Sequence, residues 1–189
     1  MMNIKRFVGL CLITAMPLTM MACKKEQSNK TAEPKVPAIS RAIAILHPTT
    51  TSNIQGSLSF TKVEGGIKIE GMISGLNPGK HGIHVHEYGD GSSQDAMSAG
   101  DHFNPGGQMH GSPESQTHHT GDLGNIEADD NGVANVMIVE PLLSFEGPNS
   151  IVGRSVIVHE KEDDFTTQPS GASGSRIAWG VIGIARSLE

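Results

Sequence analysis

The sequence predicts an all-β domain: eight short strands in an antiparallel barrel or sandwich, carrying two long functional loops. Three observations carry that expectation. Apolar and polar residues alternate with a period of two, as in Ile67–Ser74, where Ile67, Ile69, Gly71 and Ile73 share one face and Lys68 and Glu70 the other. Glycine (23 residues) and proline (10) punctuate such runs while aromatics make up only 4%, a composition of short strands and many turns. No stretch shows convincing helical periodicity.

Taken in order, the chain begins with a targeting segment at residues 1–22. Lys5 and Arg6 form a positive start, Phe7 to Met21 a short apolar run broken by Pro17, too short and badly flanked to span a membrane. It stops at Met20-Met21-Ala22-Cys23, which resembles the lipobox of bacterial lipoproteins. On that reading Cys23 is lipidated and becomes the first residue, a membrane anchor that places the domain in the periplasm or cell envelope. The alternative is an ordinary signal peptide with Cys23 incidental. Residues 23–38 are polar, with two prolines, and read as a flexible tether. The domain is expected over 39–189. Cys11 leaves with the signal, so the mature domain has no pair of thiols for an internal disulfide.

Strands are expected at Arg41–His47, Gln55–Thr61, Ile67–Ser74, His81–Tyr88, Leu123–Ala128, Val133–Val139, Arg154–Glu160 and Ile177–Arg186. Turns at Gly65-Gly66, Asn77-Pro78-Gly79 and Asp129-Asp130-Asn131-Gly132 separate several of them. Gly89–Gly121 and Lys161–Arg176 remain as loops. A structureless loop as long as the first is unusual unless something inside it supplies order.

Six of the nine histidines fall at His84, His86, His102, His110, His118 and His119. Imidazole suits copper and zinc. His84 and His86, two apart on a strand, point to one face and make half of a rigid metal site. His102, His110, His119 and Asp122 offer three nitrogens and one carboxylate oxygen, a closed four-ligand set of the structural zinc kind. His159, ending a strand, can join His84 and His86, but that trio needs a fourth partner. One imidazole using both nitrogens, His102, would serve two metals. His81 is expected to bond to backbone, His47 to be exposed, and His118 to face solvent; none of the scattered methionines reads as a copper thioether site.

These residues closely resemble the copper–zinc superoxide dismutase family. The resemblance is carried by H-G-I-H-V-H-E-Y-G-D (81–90), S-A-G-D-H-F-N-P (98–105), H-G-S-P (110–113), H-T-G-D-L-G-N (119–125), V-H-E-K-E-D-D (158–164) and G-S-R-I-A-W-G-V-I-G-I-A (174–185). It implies a Greek-key barrel. It also implies Cu(2+)/Cu(+) on His84, His86, His102 and His159, and Zn(2+) on His102, His110, His119 and Asp122. Asp163 would link a copper histidine to a zinc histidine, and Arg176 would bind the substrate anion. The implied reaction turns superoxide into oxygen and hydrogen peroxide, with His102 carrying a proton on the nitrogen that copper releases. A second copy of the chain, in a homodimer, is the partner considered with it.

Two departures stand out. The family's intrasubunit disulfide positions fall on Ala96 and Trp179, so packing of the lone tryptophan would have to replace a covalent tie. From Ala38 onward the domain has 8 Lys and Arg against 18 acids, leaving Arg176, Lys161 and the metals to attract an anion. The formal charge of −6, or −8 once residues 1–22 are removed, excludes nucleic-acid binding through a basic face. Two other functions compete: a copper-buffering module of the envelope without turnover, and a purely structural zinc protein, which would leave His84, His86 and His159 without purpose.

Overall fold

The computed structural model of the chain describes residues 38–50 and 52–187. The predicted targeting segment, Cys23 and nearly all of the tether lie outside the described residues. Nine strands follow: β1 (Arg41–Pro48), β2 (Gln55–Val63), β3 (Gly66–Ser74), β4 (Gly79–His86), β5 (Asp122–Ala128), β6 (Val133–Glu140), β7 (Ser155–His159), β8 (Arg176–Val181) and β9 (Gly183–Ile184). The one helical element among the described residues is a 3₁₀ turn at Met97–Ala99.

Every strand pairing is antiparallel, in the order β5-β4-β7-β8-β1-β2-β3-β6, with β9 beside β1. The edge strands β5 and β6 are joined by a tight turn in which Asp129 Oδ1 accepts from the Asn131 and Val133 amides. The sheet therefore curls into a nearly closed barrel, and its non-consecutive neighbours, β4 with β7 and β3 with β6, give the Greek-key connections.

The period of two is obeyed where one face meets water. In β2 and β3, Leu58, Phe60, Ile67, Ile69 and Ile73 are buried, and each such side chain contributes about 1.5–3 kcal/mol by leaving water. Strands β4 and β7 break the alternation: His81 to His86 and all of Ser155–His159 are buried. Their inner face (Ile83, Val85, Val156, Val158) belongs to the barrel core. Their outer face carries His84, His86 and Ile157; the long loop meets it through Ala96 and Ala99 at Ile157 and through His102 at His86.

The expected last strand, Ile177–Arg186, is corrected to two. Ile182 leaves the ladder to plug the core, fully buried. Its backbone groups are satisfied instead by Gly153 N and Arg154 O, at 2.9 and 2.8 Å. The chain then rejoins β1 at Ala42 and Ile43.

Three contacts tie down the long loop. Trp179 packs against Ala96, Ala99 and Ile157, bringing the two disulfide-equivalent positions together. Gly91 lies beneath its ring, and a Cβ there would stand 1.7 Å from the indole, so only glycine fits. Arg154 donates to the Glu87 carbonyl at 2.6 Å and lies 3.5 Å over the Phe103 ring, gripping the loop at both ends of the His86–His102 segment.

Candidate metal centre

Two groups of side chains converge on one imidazole. His84, His86, His102 and His159 form the first; His102, His110, His119 and Asp122 form the second. Within each group the potential ligand atoms all lie within 4.8 Å of one another, and every member is buried. Strand periodicity aims His84 and His86, β7 contributes His159, and the loop brings His102 alongside through a backbone bridge to His86. The His84 and His102 rings stack at 3.9 Å.

Six buried ring nitrogens make no aligned hydrogen bond: His84 Nδ1, His86 Nε2, His102 Nε2 and His159 Nε2, together with His110 Nδ1 and His119 Nδ1, which instead face the Asp122 carboxylate at 3.0 and 3.3 Å. Orphaned buried polar atoms are costly. Six from six residues of these two groups make a donor set that fits metal ions. His102 turns Nε2 to the first group, while its Nδ1 donates to Asp122 Oδ1 at 2.8 Å. The opposite nitrogens are held: His86 Nδ1 donates to the Gly100 carbonyl at 2.9 Å, and His159 Nδ1 to the Gly174 carbonyl at 3.3 Å.

Asp163 joins the groups. Its side chain, fully buried, accepts from His84 Nε2 through Oδ2 and from His110 Nε2 through Oδ1, both at 2.8 Å. Gly171 makes room for it: a Cβ there would lie 1.8 Å from Asp163 Oδ1 and 2.6 Å from His110 Nε2.

The electrostatics favour neutral nitrogens in the first group. Burial pushes His84, His86 and His159 below the ordinary imidazole range, and His102 down to about 4. Neutral imidazole is the metal-binding form. In the second group, burial works to lower His110, but the Asp122 carboxylate facing its Nδ1 at 3.0 Å and the hydrogen bond to Asp163 outweigh it and raise it to about 9. Burial works to raise Asp122 and Asp163, yet hydrogen bonds from their histidine partners hold both carboxyls below the usual carboxylate range.

A cavity of about 750 Å³ opens over the first group, with His86, His102, His159 and Arg176 among its lining residues. Arg176 donates from Nη1 to the Ala96 carbonyl at 2.7 Å and from Nη2 to the Gly100 carbonyl at 2.6 Å. Those bonds fix the guanidinium plane and leave other N–H donors for a ligand.

The structure thus brings together all seven proposed ligands, Asp163 and Arg176. His81 bonds to backbone as expected, to the His159 and Asn77 carbonyls, and His47 is exposed. His118 is corrected: it is buried, with Nδ1 donating to the His119 carbonyl, because the turn into β5 tucks it beside the buried Glu140. Lys161 is exposed and does not line the cavity, whereas the acids Glu87 and Asp101 do. Two clamps escaped the sequence reading. The Gln168 amide grips the His110 backbone twice at 2.9 Å, and Asn125 grips the Asp163 backbone at 2.8 and 2.9 Å. Asn125 closes the motif H-T-G-D-L-G-N, a signal that could have marked it.

A nearly closed antiparallel barrel bearing two adjoining metal-type groups that share one imidazole defines a narrow class of protein. The family described as copper/zinc superoxide dismutase (SODC) matches residues 54–182. The chain belongs to that family. The solved crystal structure of the clock protein EA4 is 42% identical in sequence and superposes with a TM-score of 0.74, over 81% of this chain and 99% of that one.

Proposed function

We propose that the protein disproportionates superoxide with copper on the first group and zinc on the second. The observation that carries this reading is the set of six buried ring nitrogens without an aligned hydrogen bond, gathered in two groups that meet at His102. Copper, when bound, supplies one-electron chemistry, so that two superoxide anions and two protons become one dioxygen and one hydrogen peroxide.

The chain's own residues supply the rest. His84, His86 and His159 present neutral nitrogens from the paired strands β4 and β7, a rigid half of the copper site. Zinc would be held by His110, His119 and Asp122 with the Nδ1 side of His102, a ligand set suited to a structural ion. His102 Nε2 fronts the cavity and has no protein partner, so it is placed to hold a proton and release it to reduced substrate. Arg176 binds the anion: a planar, always charged fork already oriented by two carbonyls spends little entropy on a small ligand. Asp163 orients one ring on each metal through their far nitrogens.

The M-M-A-C sequence supports a second part of the proposal, that the domain works as a lipid-anchored protein of the cell envelope, met by superoxide arising outside the cytoplasm. An acidic cavity wall, Glu87 and Asp101, favours a second reading, copper binding without turnover. Metal analysis after reconstitution tests the site. We expect one copper and one zinc per chain, and loss of the shared geometry in His102→Ala. Zinc alone, or copper that ignores His102, contradicts the assignment.

A further inference from the structure

Four methionines among the described residues are strongly exposed: Met72, Met97, Met109 and Met137, at 57, 59, 63 and 78%. Met72 and Met137 lie on the outer barrel face, on β3 and β6. The other two line the cavity over the first histidine group. Against the sequence expectation that no methionine serves copper, we propose that Met97 and Met109, which line this cavity, form a thioether landing site for Cu(I), from which copper passes inward to His86, His102 and His159. The proposal rests on the reading of that histidine group as the copper site.

Placement is the first argument. His84 is fully buried, and of its group His86, His102 and His159 line the cavity, so copper arriving from solvent passes this mouth. The second is anchoring. Met97 follows Ala96, and both the Ala96 and Gly100 carbonyls are held by Arg176; the Gly100 amide in turn donates to the Met97 carbonyl at 3.2 Å. Met109 precedes His110, whose amide and carbonyl are both clamped by Gln168. Two flexible side chains thus rise from fixed backbone at the cavity wall, where neither is buried. Met suits such a role, being unbranched and polarizable.

Charge is the third argument. Glu87 and Asp101 share the wall with the two thioethers. Carboxylates at the mouth work against an incoming anion but attract an incoming cation. Soft sulfur then selects Cu(I) over zinc, whose site is built from imidazole and carboxylate. The acidic wall, unhelpful for substrate capture, gains a purpose as a copper funnel.

Silver(I) is a redox-inert probe for such a site. The full chain, labelled at its methionine methyl groups and carrying zinc and reduced copper, is titrated with Ag(I) and followed by NMR. The Met97 and Met109 methyl signals should shift and saturate while those of Met72 and Met137, also exposed, stay in place. No shift, or the same shift at all four, overturns the proposal. In a second experiment the zinc-loaded, copper-free chain takes up Cu(I). The double variant Met97→Leu, Met109→Leu keeps volume and fold, and should load about tenfold more slowly through loss of local concentration. Its Cu(II) uptake and final copper content should match wild type. Equal Cu(I) rates with full copper content overturn the landing site alone. A wild-type chain that takes up no copper at its histidines overturns the copper-site reading and the landing site with it.

Discussion

Replacing Asp163 by Asn keeps the shape of the bridging side chain and removes one acceptor. The carboxylate accepts from two ring nitrogens, His84 Nε2 and His110 Nε2, each at 2.8 Å. An amide oxygen serves one of them and sets its NH2 against the other. One buried donor is then orphaned, at about 1–3 kcal/mol. That corresponds to about 5- to 150-fold in metal affinity, which brackets the about 10- to 100-fold usual for such outer partners. The loss should fall mainly on zinc. His84 stands on β4, which is paired on both sides, whereas His110 is a loop residue held by Asp163 and Gln168. Competition titration against a chromophoric chelator measures both affinities. Zinc and copper affinities that both stay within about twofold of wild type would refute the bridging role.

Trp179→Ser removes the indole that packs on Ala96, Ala99 and Ile157. Loss of about 3 kcal/mol should lower the melting temperature by about 6–12 °C and speed metal loss; unchanged melting and metal retention would contradict packing as the replacement for a covalent tie. Arg176→Ile removes the cavity's charged donor, worth about 1.5–3 kcal/mol to an anion, and should slow superoxide decay by at least about tenfold at low salt; full low-salt activity sinks the anion-binding role. In the metal-free protein His110, raised to about 9, holds a proton that zinc must displace. The raised group stabilises the metal-free fold fully below its ordinary pKa, and that contribution fades as pH rises through about 9. Zinc affinity should therefore climb with pH up to about 9 and then level off; calorimetry in buffers of different ionisation enthalpy should show proton release, and a flat profile would count against it.

Much of the barrel could be read in advance because β2 and β3 have one face in water, where Ile67, Ile69 and Ile73 must alternate with Lys68 and Glu70. The same rule aimed His84 and His86 together, and the spacing of His102, His110, His119 and Asp122 suits one closed ligand set. What escaped depended on distant partners. Ile182 breaks its strand because the core behind it needs filling and because Gly153 and Arg154 happen to satisfy its backbone. His118 is buried through the turn into β5, beside Glu140 from another strand. Gln168 acts on the backbone of His110, far away in sequence, where no local pattern signals the contact, whereas Asn125, which holds the Asp163 backbone, is marked only by its place at the end of a motif. The acidic wall at Glu87 and Asp101 emerges only when the loop folds back over β4.

The central claim is that this two-metal cluster turns superoxide over. Rapid-mixing measurement of superoxide decay, with the chain loaded first with zinc alone and then with both metals, tests it most directly. Fast second-order decay should appear in proportion to copper content at His84, His86, His102 and His159. A fully copper-loaded protein that leaves superoxide to its spontaneous decay would contradict it and would favour a copper-binding role without turnover.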